Sequence, residues 1–221
     1  MKKSIYSLVL ADDIIRAIDQ LAYQQNTSRS NMVNQILAEH LSLSTPEMQM
    51  RDIFSSMEQM MTDSFQLLSQ SSSSMRAMRT QLPFKYKPTV RYQLELYREP
   101  GEALGQIRVS LRTQSAQLIR LLELFFDIWA SLEDHYVAPQ LGHAIKRGSG
   151  PGWMSRELYH PGRRQICSSE DVGNALAEYV RLMDQAIRLF FSLADRDLPQ
   201  ITARLEELMQ ETVADPGLLL L

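Results

Sequence analysis

Residues 4–10 read Ser4-Ile5-Tyr6-Ser7-Leu8-Val9-Leu10, and the acidic pair Asp12-Asp13 follows almost at once. The first stretch is rich in residues that favour β-strands. Two carboxylates in the first turn are typical of a helix start, because they complement the positive end of the helix dipole. The sequence therefore predicts a short strand that leads directly into a helix whose N-cap is Ala11 or Asp12.

Two short amphipathic helices are predicted after this strand. The first carries apolar residues at helical spacing from Ile15 to Ala22, and Asn26 is a residue type that tolerates the left-handed conformation in which helices end. The hydroxyl side chains of residues 27–30 suit the cap of a second helix. That helix ends before Pro46, and its predicted core face comprises Val33, Ile36, Leu37 and Leu41.

A lone strand with two short helices is not a stable unit. Both edges of the strand are unpaired, and about 40 residues bury too little apolar surface to fold alone. Pairing with the same strand of a second copy across a two-fold axis removes both problems. The sequence thus predicts a homodimer that forms through paired N-terminal strands.

The pattern of residues 2–43 resembles the ribbon-helix-helix family, the group of the Arc, MetJ and CopG repressors. The resemblance rests on the Lys2-Lys3 start, the strand, the Leu21-Ala22 helix end and the Thr27-Ser28-Arg29-Ser30 helix start. It implies that the partner is double-stranded DNA, that the ribbon reads the major groove and that the second helix holds a phosphate at its N-terminus. The DNA-binding residues that it implies are Lys2, Lys3, Ser4, Ile5, Ser7, Val9, Thr27, Ser28, Arg29 and Ser30.

The implied ribbon departs from the family's usual pattern. Carried over by position, Tyr6, Leu8 and Leu10 lie against the helices, while Ile5 and Val9 point outward beside Ser7. Outward positions in the family are commonly polar, so Ile5 and Val9 would contact thymine methyl groups rather than donate hydrogen bonds. The alternative is that residues 1–44 only dimerise.

The rest of the chain is predicted to contain a linker region and a larger domain. Residues 45–80 comprise a methionine-rich helix over 47–69 and a serine-rich break, and residues 81–221 form the larger domain. Alternating apolar residues predict a hairpin over 89–112, and helical periodicity predicts helices over about 113–136, 169–194 and 199–213. The expected fold class is mostly α with minor β, with the N-terminal ribbon-helix-helix module followed by a mainly helical domain.

Charge is unevenly distributed along the chain. The net charge of −3 conceals a charge of +6 over residues 76–120 and of −6 over residues 121–221. Arg91, Arg108 and Arg112 are predicted to share the polar face of the hairpin. A basic face of this kind can bind nucleic-acid phosphates, but pairing with the acidic C-terminal helices is the favoured interpretation.

Other functional classes have little support in the sequence. The glycine-rich stretch 146–152 lacks the Gly-Lys-Ser/Thr ending of a phosphate loop and is interpreted as a surface loop that continues through residues 156–164. The four histidines and Cys167 have no metal-ligand spacing, so neither a metal nor another cofactor is expected. We expect a protein that is not an enzyme, has no membrane span and is located in the cytoplasm.

Three functions remain open at this point. The first is a sequence-specific transcriptional regulator, in which the C-terminal domain takes a small-molecule or protein partner. The second is an antitoxin-like interaction protein, and the third is a plasmid mobilisation or partition accessory factor. A chain with roughly 140 folded residues after its linker fits the short-tailed antitoxins less well.

Overall fold

The computed structural model describes residues 5–61, 64–68, 72–85, 87–99, 101–160 and 167–214. The helices in these ranges are α1 Asp12–Gln24, α2 Arg29–His40, α3 Pro46–Met60, α4 Ala116–Tyr136, α5 Ala138–Leu141, α6 Ser169–Ser192 and α7 Leu198–Val213. The strands are β1 Gln66–Leu67, β2 Met75–Gln81, β3 Thr89–Leu96, β4 Ala103–Arg112, β5 Arg147–Gly150 and β6 Trp153–Tyr159.

The prediction of a mainly helical C-terminal domain with a single hairpin is wrong. The strands form one six-stranded antiparallel sheet in the order β1-β2-β3-β4-β6-β5. The predicted hairpin is present as β3 and β4, with Val90 opposite Leu111 and Leu94 opposite Ile107. It lies at the centre of the sheet, flanked by strands that the sequence did not reveal.

The missed strands lack a clean apolar alternation. β6 places Arg156 at an inward position between Met154 and Leu158, and β5 is half glycine. The prediction of a loop over residues 147–150 is wrong, because they pair with β6 as an edge strand. The same error applies to residues 156–159, which belong to β6, whereas residues 161–164 lie outside the described residues.

The prediction of an N-terminal strand that forms a ribbon before the helices is wrong. Residues 5–11 form neither a strand nor a helix, and the first regular element is α1. A strand needs a hydrogen-bonded neighbour, and none of the described segments of the same chain lies beside these residues in a sheet. The strand propensity of residues 4–10 is therefore not realised within a single chain.

The helix predictions are largely confirmed, and local capping explains their starts. α4 begins after Ser115, whose side chain accepts a hydrogen bond from the Leu118 amide. α6 begins with a capping box formed by Ser168 and Asp171. α3 is shorter than the predicted 47–69, because it ends at Met60 and residues 66–67 enter the sheet as β1.

One large apolar core lies between the inner face of the sheet and the helices. Tyr92, Phe125, Trp129 and Phe190 are fully buried in it. α3 packs closely on α6 at Gly173, where an added Cβ would lie 2.4 Å from the Ile53 carbonyl oxygen. The methionine-rich face of α3 therefore docks within its own chain.

Two buried polar clusters join the sheet to the helices. On α4, Glu133 lies 2.9 Å from Arg156 Nε and 3.0 Å from Arg147 Nη2, and it accepts a 2.8 Å hydrogen bond from Tyr179. Burial and the nearby Glu133 carboxylate raise the pKa of Tyr179 well above its usual value. In the second cluster Asp184 on α6 accepts hydrogen bonds from Thr80 and Tyr92.

None of the described helices is both long enough and apolar enough to cross a membrane.

Candidate nucleic-acid interface

α1 and α2 form a small helix pair with a core of its own. Ile18, Ala22 and Met32 make up this cluster, and Leu10 and Val33 pack at its margin. Asn26 connects the helices with a positive φ of 50°, which confirms the predicted left-handed helix end. The cluster is separate from the large core of the sheet.

The second helix is capped as the sequence predicts. Ser28 is the N-cap of α2, and its Oγ accepts a hydrogen bond from the Asn31 amide at 3.3 Å. The amides of Arg29 and Ser30, in the same first turn, have no acceptor within the described part of the chain. Such amides at a helix N-terminus point outward and favour an anion.

Arg29 is held by Asp19, a residue that the sequence pattern does not indicate as part of the site. Its Nε and Nη2 donate to the two carboxylate oxygens of Asp19 on α1, each at 2.6 Å. The hydrogen bond from Arg29 holds the pKa of Asp19 below its usual range. The pairing could not be read from spacing within one helix, because the two residues are ten positions apart and meet only when the helices pack.

Most of the predicted ribbon residues are exposed. Ile5, Ser7 and Val9 are exposed, as expected for outward positions, but Tyr6 and Leu8 are exposed as well. Of the three residues expected against the helices, only Leu10 contacts the α1–α2 cluster. Lys2, Lys3 and Ser4 lie outside the described residues.

The predicted core face of α2 is also only partly correct. Met32 and Ala38 are its buried residues, whereas Ile36, Leu37 and Leu41 are 39%, 49% and 63% exposed. Residues 5–9, α1 and the end of α2 also leave large apolar side chains exposed. We call this set the apolar N-terminal surface: Ile5, Tyr6, Leu8, Val9, Ile14, Leu21, Tyr23, Ile36, Leu37, Leu41 and Leu43.

Neither Cys167 nor the acidic residues form an alternative site. Burial and the Asp171 charge raise the pKa of the Cys167 thiol, which disfavours the reactive thiolate. Within the described ranges no group of three or more His, Cys, Asp or Glu side chains is arranged to hold a metal ion.

Comparison of the chain with protein-family models, curated proteins and solved structures found no match.

Proposed function

We propose that this chain is a homodimeric, cytoplasmic DNA-binding protein that regulates transcription through its N-terminal 44 residues. The observation that best supports this proposal is the apolar N-terminal surface. Contact of so many large apolar side chains with water is unfavourable, so we do not expect the helix pair to be stable alone. Burial of one such side chain contributes about 1.5–3 kcal/mol. A second copy offers a surface of the same chemistry.

A two-fold axis is the simplest arrangement that covers this surface. Identical patches then cover each other. The helix pair has only three buried apolar residues in its own cluster, Ile18, Ala22 and Met32. The second copy would supply most of its core.

The DNA partner is supported by the resemblance of residues 2–43 and by the start of α2. The free amides of Arg29 and Ser30 suit a phosphate, and a dimer presents two such helix starts to two half-sites of a duplex. Arg29 would exchange Asp19 for a phosphate or bridge both groups. The proposal assigns DNA binding and no catalytic step to these residues.

The first test is selection of bound sequences from a random pool of duplex DNA by the purified full-length chain at low salt. We expect enrichment of a two-fold symmetric site, because a symmetric dimer binds two equivalent half-sites. Recovery of no enriched sequence would contradict the proposal.

The second test compares two variants on the selected site. The Ser7→Ala/Arg29→Ala variant is expected to bind at least about tenfold more weakly, with a salt dependence reduced by about one for each lost phosphate contact. Arg204→Ala is the matched control, since Arg204 is 60% exposed beside 59% for Arg29 and likewise pairs with an acidic side chain. Unchanged affinity and salt dependence in the first variant would contradict the assigned site.

A further inference from the structure

The outer face of the sheet carries arginines at one end and carboxylates at the other. The strand registers align Arg79, Arg91, Ser110 and Trp153 in one row across β2, β3, β4 and β6. Arg108 and Arg112 flank this row two residues away on β4. The acidic residues of the same face, Glu95 and Glu157, lie at the opposite end of β3 and β6, on either side of Gln106.

The four arginines are exposed, and none of them has a carboxylate partner in the part of the chain that the structure describes. Within the described residues, Arg91, Arg108 and Arg112 make no ion pair, and Arg79 donates to the neutral Gln66. The expected pairing of Arg91, Arg108 and Arg112 with the acidic C-terminal helices is therefore wrong. Those helices pack on the inner face, so the thickness of the sheet separates the two sets of charges.

Two of the arginines are directly opposed. Arg79 and Arg91 are partners in the β2–β3 register. Side chains at opposed positions lie only about 5 Å apart at Cβ, and like charges there are destabilising. The fold does not require this repulsion, because any polar side chain would suit an exposed sheet position. An anionic partner would remove it.

Trp153 adds a flat aromatic surface to this charge. The Arg108 guanidinium lies over the indole, with Cζ 3.8 Å from the ring centroid. The indole leans over β5, where a Cβ on Gly150 would lie 2.7 Å from Nε1. Glycine at this edge position thus leaves room for the ring, and Trp153 remains partly exposed beside the arginine row.

We infer that this arginine-tryptophan face, defined by Arg79, Arg91, Arg108, Arg112 and Trp153, binds single-stranded nucleic acid. Arginines separated by about 5 Å across strands and about 7 Å along a strand can follow a phosphate backbone. A base can stack on the Trp153–Arg108 platform, since aromatic rings and guanidinium planes both stack on bases. A duplex keeps its bases stacked inside and offers none to this platform, which favours a single strand.

This surface lies outside the residues assigned to duplex binding and does not depend on that proposal. An acidic protein segment would satisfy the arginines but would make no use of a tryptophan platform. The two tryptophans allow a direct test, because Trp129 is fully buried whereas Trp153 is partly exposed.

The experiment titrates the full-length chain with 15-nucleotide oligothymidylate, oligouridylate and a duplex of the same length, at low and moderate salt. Fluorescence anisotropy of the labelled strand reports binding, and tryptophan emission reports stacking. We expect both single strands to bind and to quench emission, with an affinity that falls as salt increases. Comparison of the thymidylate and uridylate arms shows whether DNA or RNA is preferred.

Variants then assign the binding to the face. Trp153→Ala is expected to weaken single-strand binding about tenfold or more. Trp153→Phe should retain most of the affinity but abolish the quenching, because only buried Trp129 then emits. Arg79→Gln and Arg91→Gln should each weaken binding and reduce its salt dependence, while the thermal unfolding midpoint stays equal or rises as the opposed charges are relieved.

Matched controls separate this site from the N-terminal one. Gln106→Ala, on the same face between the carboxylates, and Ser7→Ala/Arg29→Ala should both leave single-strand binding unchanged. The inference is overturned if neither single strand binds at low salt. It is also overturned if inorganic polyphosphate or polyglutamate binds equally and the nucleic acid causes no quenching, or if the Arg79 and Arg91 variants bind as tightly as the wild type.

Discussion

Two parts of the molecule cover their apolar side chains to different degrees. One is the helix pair, formed by α1 and α2, and the other is the sheet unit, formed by the sheet with α3, α4, α6 and α7. The sheet unit covers its apolar inner face completely, so that Val90, Tyr92 and Leu94 are fully buried. The helix pair leaves Ile36, Leu37 and Leu41 in contact with water. What remains exposed also differs, since the helix pair presents many large apolar side chains and the outer face of the sheet presents arginines.

This difference indicates how each region meets a partner. Uncovered apolar surface in a small helix pair is typical of an obligate interface, which resembles a protein core divided between two chains. An exposed cationic face on an otherwise complete fold is typical of a surface that binds anions reversibly and with strong salt dependence. The four predictions below test that contrast.

The largest expected effect is in the sheet unit. Glu133→Gln removes the carboxylate that lies 2.9 Å from Nε of buried Arg156, which is 1% exposed. An uncompensated buried charge destabilises a protein by about 3–5 kcal/mol, to be measured by urea unfolding. Glu178→Gln is the control. The side chains of Glu178 and Arg181 are 41% and 35% exposed, and an ion pair this exposed should contribute about 0–1 kcal/mol to the free energy of unfolding. Equal effects of the two variants would show that the buried cluster is not needed for stability.

The next effect is on the dimer. Leu37→Asp places a charge in the apolar N-terminal surface and is expected to weaken dimerisation about a hundredfold, which corresponds to about 2.7 kcal/mol. Sedimentation velocity over a range of concentrations measures this change. Leu198→Asp on α7 is the matched control, since Leu198 is 47% exposed beside 49% for Leu37. A wild-type chain that stays monomeric at high concentration would refute the dimer itself.

A smaller effect is expected where α3 meets α6. Gly173→Ala brings a Cβ within 3.0 Å of backbone atoms of Ile53 and Met57, so the two helices must separate slightly. Overpacking of this kind destabilises by about 1–3 kcal/mol, and thermal unfolding of the sheet unit should record it. Dimerisation should be unchanged, because α3 and α6 are outside the helix pair. An unchanged unfolding midpoint in Gly173→Ala would show that the backbones of α3 and α6 can accommodate a Cβ at residue 173.

The smallest effect is electrostatic. The hydrogen bond from Arg29 lowers the pKa of Asp19, so this pair stabilises the helix pair above the ordinary carboxyl pKa and loses its contribution as pH falls through the lowered value. In Arg29→Ala the Asp19 titration midpoint, followed by NMR, should return towards about 3.9. Asp171, whose pKa is lowered by the backbone and side chain of Ser168, should titrate unchanged. An unchanged Asp19 titration midpoint in Arg29→Ala would show that the two side chains do not interact in solution.

Local signals in the sequence predicted most helices and the central hairpin. Ser28, Ser115 and Ser168 mark helix starts, and Pro199 lies in the first turn of α7. These features act within a few residues of their own position, so that they need no knowledge of the remaining chain. The alternation of Val90, Tyr92, Leu94 and Leu96 is equally local, since it reflects one buried face of one strand.

The candidate sites were less predictable, because they depend on neighbours that are distant in sequence. Asp19 meets Arg29 only through the packing of α1 on α2. Arg156 can be buried because Glu133, on a different element, neutralises its charge. An arginine at an inward position interrupts the apolar alternation of β6, so the sequence pattern does not predict this strand. The row of Arg79, Arg91 and Trp153 exists only because four strands, β2, β3, β4 and β6, align in register.

The sequence by itself therefore determined where most of the helices begin and which residues of β3 and β4 face inward. Each of these follows from propensity, capping and periodicity over a short stretch. Only the tertiary structure decided that the hairpin belongs to a six-stranded sheet and that the acidic helices lie on its far side. Sheet pairing and charge neutralisation are long-range interactions. Within the described residues the outer arginines make no ion pair, because the sheet lies between them and the acidic C-terminal helices.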